Sequence, residues 1–566
     1  MKSGRWWWLI CLCGLLLISG GGEMAGARPE TAVIDWRFGV IESYESPADA
    51  SALGVAWTRV RFHWAEIQAG GPDTWTPSVS DAQINGEINA GRMVVGLLIG
   101  IPAWARDANG LPVGLWLPYD DPGNTWATFV REAVGRYNGR INHWIIWNEP
   151  DIGDPSAPGH TWNGTIEDFF QLQRTAYLAA KSVNPNVTIH LAAFTHFWDP
   201  GYFNRFLDVV ATDPAAASNN YYFDVATAHL YFQPNSIYDI IQSFYGAMGA
   251  HGIWKPIWLV ETNAPPIDDP AWPVPNWTLS VTQHEQAAFM PQALASALAA
   301  GAQRIAIYKL KDVPADRAAN PEPFGLVRMD GSRRPAFTTY QVAIQYLAGM
   351  TGVQRERWDA VGQIRIEQGE KTTTVLFARL PAPQVAEVMA TAETAVLVDM
   401  WGARQTISAQ NGVFTIELPP ALCTQPIGDY CMIGGTTYYL VQSVSGGEMP
   451  DVPPAAGGAN ATAVPADTPT ATATATPTST PTTTPTMTAT PTPWPTETPS
   501  PTASPTATST PLPTTAVSPT TTLLVTPSPQ TSAATPVFSM AWWLLGGALL
   551  LSGGMTVWWR RRRNGR

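Results

Sequence analysis

Eight short apolar runs recur between residues 37 and 308, and their spacing limits the architecture more than any other feature. They are Arg37–Ile41, Trp57–Phe62, Met93–Gly100, His143–Trp147, Val187–Ala193, Phe223–His229, Ile257–Glu261 and Arg304–Tyr308. Each is too short for a typical helix and too continuously apolar for a strand with one wet face, so each reads as a strand buried on both faces. Helix-length segments separate them, the clearest being Trp126–Tyr137, Ile166–Ser182 and His284–Ala300. Strand alternating with helix eight times over roughly 300 residues predicts a (β/α)8 TIM barrel, assigned to residues 28–350.

The texture changes near Gly352. Alternating segments Gln363–Gln368, Thr373–Ala378, Ala395–Asp399 and Val413–Leu418 are separated by the turn signals Gly369-Glu370 and Asn411-Gly412. Period-2 runs joined by such turns predict a small antiparallel, β-sandwich-like domain over 351–447. Buttressing of the barrel is its expected role.

Both ends of the chain predict an address. Residues 1–27 combine a basic start, an apolar stretch over Trp6–Ile18 and the Ala25-Gly26-Ala27 pattern of a secretory signal peptide. Residues 448–536 collapse to Thr, Pro, Ala and Ser, a composition that cannot bury enough apolar surface to fold and favours an extended, disordered stalk. Val537–Trp559 is continuously apolar, long enough for one transmembrane helix, and is followed by the basic tail 560–566. The positive-inside rule then puts the C-terminus in the cytoplasm and the folded domains outside the cell membrane.

Charge and cysteine usage agree with that layout. The chain carries a formal net charge of −12, and without the five tail arginines and the +1 of residues 1–27 the remainder carries −18. Such an acidic surface argues against a nucleic-acid partner. Cys423 and Cys431 are the cysteines outside the signal segment, close together in an exported domain, and are expected to form a disulfide. No Cys/His cluster suggests a metal, and no cofactor motif is present.

The chemistry sits where the apolar runs stop. Trp147-Asn148-Glu149-Pro150 ends the fourth run, and Glu261-Thr262-Asn263 ends the seventh. Active sites of this barrel form at the C-terminal strand ends, so these carboxylates face one pocket. Polar residues at other strand ends join them: Arg61 and His63 on strand 2, His229 and Tyr231 on strand 6, Tyr308 and Lys309 on strand 8. Two neighbouring carboxyl groups, one protonated and one ionised, are what glycosidic bond cleavage requires. Arg61 is suited to keep Glu261 charged as the nucleophile, leaving Glu149 to donate the proton. Tyr231 could hydrogen-bond Glu261, and Asn148 could bond a sugar hydroxyl. Trp104 is a candidate stacking surface for a sugar ring. A buried tryptophan or a satisfied core histidine would leave the same pattern at Trp104 and His63.

Trp-Asn-Glu-Pro on strand 4, Glu261 on strand 7, Arg61 on strand 2 and His229-x-Tyr231 on strand 6 together resemble glycoside hydrolase clan A. The stretch from Phe324-Gly325-Leu326 through Asp330-Gly331 to Arg334-Pro335-Ala336 is similar to the segment after strand 8 in many of its members. Within the clan the chain looks most like the β-xylosidase/α-L-iduronidase and endoglucanase-like families. The resemblance implies hydrolysis with retention, Glu149 as acid/base and Glu261 as nucleophile. One position departs from the pattern: where the clan often carries a tryptophan, strand 8 ends in Tyr308-Lys309. Either Tyr308 takes the stacking role or the substrate differs, with Lys309 meeting a charge on it. A membrane-tethered glycosidase acting on oligo- or polysaccharide is the reading these residues favour. A glycan-binding adhesin on an inactive barrel, and a transglycosylase, are its rivals.

Overall fold

The computed structural model describes residues 34–444, apart from 158, 278 and 320. The segments expected at 1–27, 448–536, 537–559 and 560–566 lie outside the described residues. No helix among the described residues is long and apolar enough to cross a membrane.

The eight runs form β1 (Asp35–Val40), β2 (Val55–His63), β3 (Met93–Ile99), β4 (His143–Ile146), β5 (Thr188–Phe194), β6 (Val225–His229), β7 (Ile257–Thr262) and β8 (Arg304–Ile307). They close into a parallel barrel in chain order, with β1 pairing β8 through Phe38↔Ile305 and Val40↔Ile307. The strands are buried along nearly their whole length because helices cover their outer faces. The helices Ile166–Val183 and Gln283–Ala299 open on capping boxes, Thr165 with Asp168 and Thr282 with Glu285, which satisfy otherwise orphan backbone donors. Close packing sets some residue choices directly. A Cβ on Gly39 would stand 2.4 Å from Cε2 of Trp57, so β1 needs glycine where the indole fills the barrel.

The second domain begins at Gly352. Its main sheet is six-stranded, ordered Arg404–Ser408, Thr394–Asp399, Tyr438–Ser443, Lys371–Ala378, Val361–Gln368, Gly352–Trp358, and all its pairings are antiparallel. Strand alternation gives the sheet two apolar faces. Val375, Phe377, Val398, Tyr439 and Val441 join the barrel's own core. Leu376, Leu397 and Leu440 instead pack against the ribbon Gln384–Met389/Val413–Leu418 through residues such as Phe414 and Ile416. Cys423 and Cys431 are disulfide-bonded. The hairpin they close docks on the barrel: Thr424 Oγ1 donates to Glu285 Oε2 at 2.5 Å, and Asn235 Nδ2 donates to the Cys431 carbonyl at 3.2 Å.

Candidate active site

Glu261 reaches the pocket through an irregularity in its strand. Trp258, on the same strand, contacts Trp57 of β2, His143 of β4, His190 of β5 and Arg304 of β8, which is only feasible inside the barrel. Glu261 also points inward, three residues later, although strict alternation would send it out. The register between β6 and β7 shifts at this place, from Ala228↔Leu259 to His229↔Glu261. The extra residue re-aims the carboxyl, a use of bulges often seen beside functional sites.

Inside, Glu261 is only 6% exposed and fully engaged. Arg59 Nη2 lies 2.5 Å from its Oε1, and the Tyr231 hydroxyl donates to its Oε2 at 2.5 Å. Burial would raise the pKa of this carboxyl. The charge of Arg59, the His229 imidazole and the hydrogen bonds from Tyr231 and Arg59 outweigh burial and hold it below the usual glutamate value. The Tyr231 phenol moves the other way, far above its ordinary range, through burial and then the neighbouring Glu261 charge.

Glu149 stands opposite. His229 Nδ1 is 2.7 Å from Glu149 Oε1 and 3.5 Å from Glu261 Oε2, so one imidazole touches both carboxyl groups. The facing oxygens of the two glutamates lie within 4.8 Å. Glu149 is held by backbone rather than by a regular strand. Trp147 N donates to the Leu98 carbonyl at 2.9 Å and Glu149 N to the Ala193 carbonyl at 3.0 Å, stitching the segment between β3 and β5. Trp147 and Glu149 both have positive φ, 73° and 46°. Left-handed backbone at non-glycine residues is costly and concentrates at functional sites.

The other residues expected from the sequence fall into three groups. Asn148, His229, Tyr231 and Tyr308 are at the site. Asn148 is half-buried beside Glu149 and makes no side-chain hydrogen bond among the described residues. Tyr308 packs edge-on against Tyr231 and Phe324, and its carbonyl accepts from Asn263 Nδ2 at 2.7 Å. His63 and Trp104 sit at the rim. The His63 ring lies over Gly100, where a Cβ would come within 2.6 Å of it, and Trp104 Nε1 donates to the Gln68 carbonyl at 2.6 Å.

Arg61 and Lys309 do something else. Arg61 is half exposed and pairs with Glu66 at 3.4 Å. The arginine on Glu261 is Arg59, because Arg61 lies two residues, roughly 6.6 Å, further along the same strand and overshoots the carboxylate. Lys309 is 2% exposed and enclosed by Glu42, Glu45 and Asp316. Those three carboxylates outweigh burial and hold its ammonium well above the usual lysine range, so it is a buried counter-ion and does not reach a substrate. Burial, reinforced by the Glu42 charge, pushes Glu45 up to about 7.

Arg59 and Asn263 are the site residues that pattern reading missed. Arg59 shares its strand face with Arg61, and only depth in the barrel distinguishes them. Asn263 is fully buried, and besides Tyr308 its Nδ2 bonds the Phe324 carbonyl at 2.8 Å, tying the end of β7 to the segment after β8. Its place directly after Glu261-Thr262 was the available signal. Arg334, within the Arg334-Pro335-Ala336 stretch, is buried with Asp269 at 2.7 Å and Asp312 at 2.6 Å, and locks the loops after β7 and β8 together.

Glu149, His229 and Glu261 could by spacing alone hold a metal ion. The donor set fits one poorly: both Glu261 oxygens already accept from Arg59 and Tyr231, and a cation there would stand beside a guanidinium. The arrangement is a carboxyl pair with opposite surroundings, one glutamate gripped by a cation and a phenol, the other touching an imidazole.

No protein-family model and no curated protein sequence matches the chain. Solved structures do. A family 39 glycoside hydrolase from the gut symbiont Bacteroides cellulosilyticus WH2 aligns with a TM-score of 0.54 at 15% identity, over 72% of this chain and 81% of that one. The likeness is one of fold, a closed parallel (β/α)8 barrel. A monomeric β-xylosidase from Caulobacter crescentus CB15 also aligns (TM-score 0.47, 12% identity, 72% of this chain and 96% of that one). So does a family 30 endoxylanase from Clostridium papyrosolvens C71 (TM-score 0.45, 14% identity, 73% and 98%).

Proposed function

We propose that the protein is a retaining glycoside hydrolase that cleaves O-glycosidic bonds of oligo- or polysaccharides by double displacement. The observation that carries this reading is the pair Glu149 and Glu261, with oxygens within 4.8 Å and unlike surroundings. Retaining enzymes hold their carboxyl groups about 5–5.5 Å apart, whereas inverting enzymes leave room for a water at about 6.5–9.5 Å.

In the first step Glu149 gives its proton to the glycosidic oxygen as that oxygen leaves the anomeric carbon. Glu261, kept ionised by Arg59, bonds to the same carbon from the opposite face. Forming that ester removes the Glu261 charge. In the second step Glu149, now a carboxylate that accepts from His229, takes a proton from water. The water oxygen bonds to the anomeric carbon, the ester bond breaks, and Glu261 recovers its charge. Tyr231 releases its hydrogen bond partner as the ester forms and regains it afterwards, keeping Glu261 oriented throughout. Tyr308 and Phe324 offer aromatic surface next to this point, in the place where a stacking residue belongs.

We also infer that the enzyme acts outside the cell, tethered by the apolar segment Val537–Trp559 on the Thr/Pro-rich stretch 448–536. Protease treatment of intact cells expressing the full chain tests the tether: release of activity into the medium supports it, and activity found only after lysis refutes it.

The test of the chemistry uses residues 28–450, aryl glycosides and a panel of plant and microbial polysaccharides. Proton NMR of the first-formed product reads the anomer, and retention is expected. An inverted product overturns the mechanism, and sugar binding without turnover of anything makes the barrel an adhesin.

A further inference from the structure

We propose that a cavity on the outer wall of the barrel, lined by Trp75, Pro77, Asp81, Arg136, Tyr137 and Arg140, is a second carbohydrate site that holds a neutral sugar residue of a glycan chain. The cavity has a volume of about 290 Å³, close to the lower end of the range of about 300–1,000 Å³ common for small-molecule sites. It lies between the start of the helix Asp81–Asn89 and the end of the helix Thr125–Arg136. The barrel wall separates it from the two glutamates. Strand alternation turns Phe62 of β2 outward where Arg61 turns inward, and Phe62 packs edge-on against Tyr137 at 4.9 Å between centroids. A sugar bound here leaves the catalytic pocket free.

The lining is arranged in advance. Arg136 lies over the Trp75 ring, with Cζ 4.6 Å from its centroid, and its Nε and Nη2 donate to Glu132 Oε1 at 2.8 and 2.6 Å. Arg140 lies over the Tyr137 ring at 4.8 Å, and its Nη2 donates to the Arg136 carbonyl at 3.1 Å. Side chains held in this way lose little further freedom when a ligand arrives. Arg140 Nη1 and Asp81 Oδ1 are 3.4 Å apart, on side chains 29% and 64% exposed, so this pair is open to a hydroxyl that accepts from the guanidinium and donates to the carboxylate. Charge selects the class of ligand. An anion would meet Asp81 and a cation would meet two guanidiniums, whereas a neutral polyol donates and accepts and so suits both. Pro77 and the half-buried Trp75 supply apolar surface for the C–H side of a pyranose ring. That this sugar belongs to the glycan cleaved at Glu149 and Glu261 rests on the reading of the protein as a glycosidase, whereas the site itself does not.

The test is 19F NMR on the full chain in detergent, labelled with 5-fluorotryptophan and carrying Glu261→Gln so that oligosaccharides stay intact. Loss of one resonance in Trp75→Phe assigns Trp75. The probes are the neutral hexasaccharides of xylose, glucose and mannose, with sodium glucuronate as the charged control. A neutral hexasaccharide is expected to shift the Trp75 resonance. Asp81→Ala and Arg140→Ala are each expected to weaken that binding about tenfold or more, the worth of a hydrogen bond to a charged group. Arg140→Lys, which keeps the charge and loses the fork, is expected to weaken it as well and serves if the alanine variant melts early. With Glu261 restored, kcat/KM on an aryl glycoside is expected to stay as in wild type in these variants. No shift at Trp75 with any neutral probe overturns the proposal, as does binding that survives the substitutions at both positions. A response to glucuronate alone makes the cavity an anion site and overturns it too. Absence of turnover with sugar binding at Trp75 intact refutes only the glycosidase reading.

Discussion

Arg59 Nη2 lies 2.5 Å from Glu261 Oε1 inside the barrel, while Arg61, on the same face of the same strand, pairs with Glu66 at the rim. One step of the strand repeat separates a residue that sets the charge of the proposed nucleophile from one that decorates the mouth. Arg59→Gln is therefore expected to let burial take over, moving the acid limb of kcat/KM to higher pH. The sign for stability follows from the same shift. Glu261 is held below its usual value in the folded state, so its stabilisation is present above an unfolded-state pKa of about 4.3 and lost as pH falls through the folded value. Arg61→Ala is the control, and its exposed pair is expected to contribute about 0–1 kcal/mol to unfolding by urea.

The two glutamates are separable by leaving group and by rescue. Glu149→Ala is expected to lower turnover of alkyl glycosides by about 10²–10⁴-fold, the usual contribution of a general acid, and to spare aryl glycosides with acidic phenols. Glu261→Ala is expected to lose both substrates. Added azide then distinguishes the roles by the glycosyl azide formed: retained configuration with Glu149→Ala and inverted configuration with Glu261→Ala. The same anomer from both variants would refute the assignment.

Lys309 is expected to matter for folding and not for recognising substrate charge. Lys309→Met leaves Glu42, Glu45 and Asp316 together without their cation, a type of change that costs about 3–5 kcal/mol when a buried partner is removed. Calorimetry checks the loss. Relative rates on neutral and uronic acid glycosides, measured below the lowered melting point, are expected to stay as in wild type.

Glu45 gives the opposite pH signature to Glu261. Its carboxyl sits at about 7 in the folded protein, chiefly through burial, so its contribution is present below the unfolded-state value and lost as pH rises through 7. Glu45→Gln cannot ionise. Its melting temperature is expected to gain on wild type increasingly between about pH 5 and about pH 8. A constant difference across that range would show that the carboxyl is ionised throughout.

Gly39→Ala tests the barrel's packing. The added methyl meets the Trp57 indole at 2.4 Å, with Trp57 itself wedged against Trp258 at 5.4 Å between centroids. Overpacking of this kind costs about 1–3 kcal/mol, read as a lower urea midpoint.

Much of this molecule is legible in its residue order. Eight both-sides-buried runs separated by helix-length segments point to a parallel sheet covered by helices, and eight such units match the count of a closed barrel. Carboxylates at the ends of such runs must then emerge at one end, so Glu149 and Glu261 could be paired across the chain. The antiparallel domain was legible from its period-2 runs and turns, and the disulfide from two cysteines close together. Tertiary structure decided the rest. Periodicity tells which face a residue occupies but not how deep it lies, so it could not choose Arg59 over Arg61. It assumes unbroken alternation, so it could not show that a register shift in β7 turns Glu261 inward. And it cannot count the charges that close around a side chain from distant segments, which is why Lys309 looked like a ligand for substrate and is instead the buried partner of Glu42, Glu45 and Asp316.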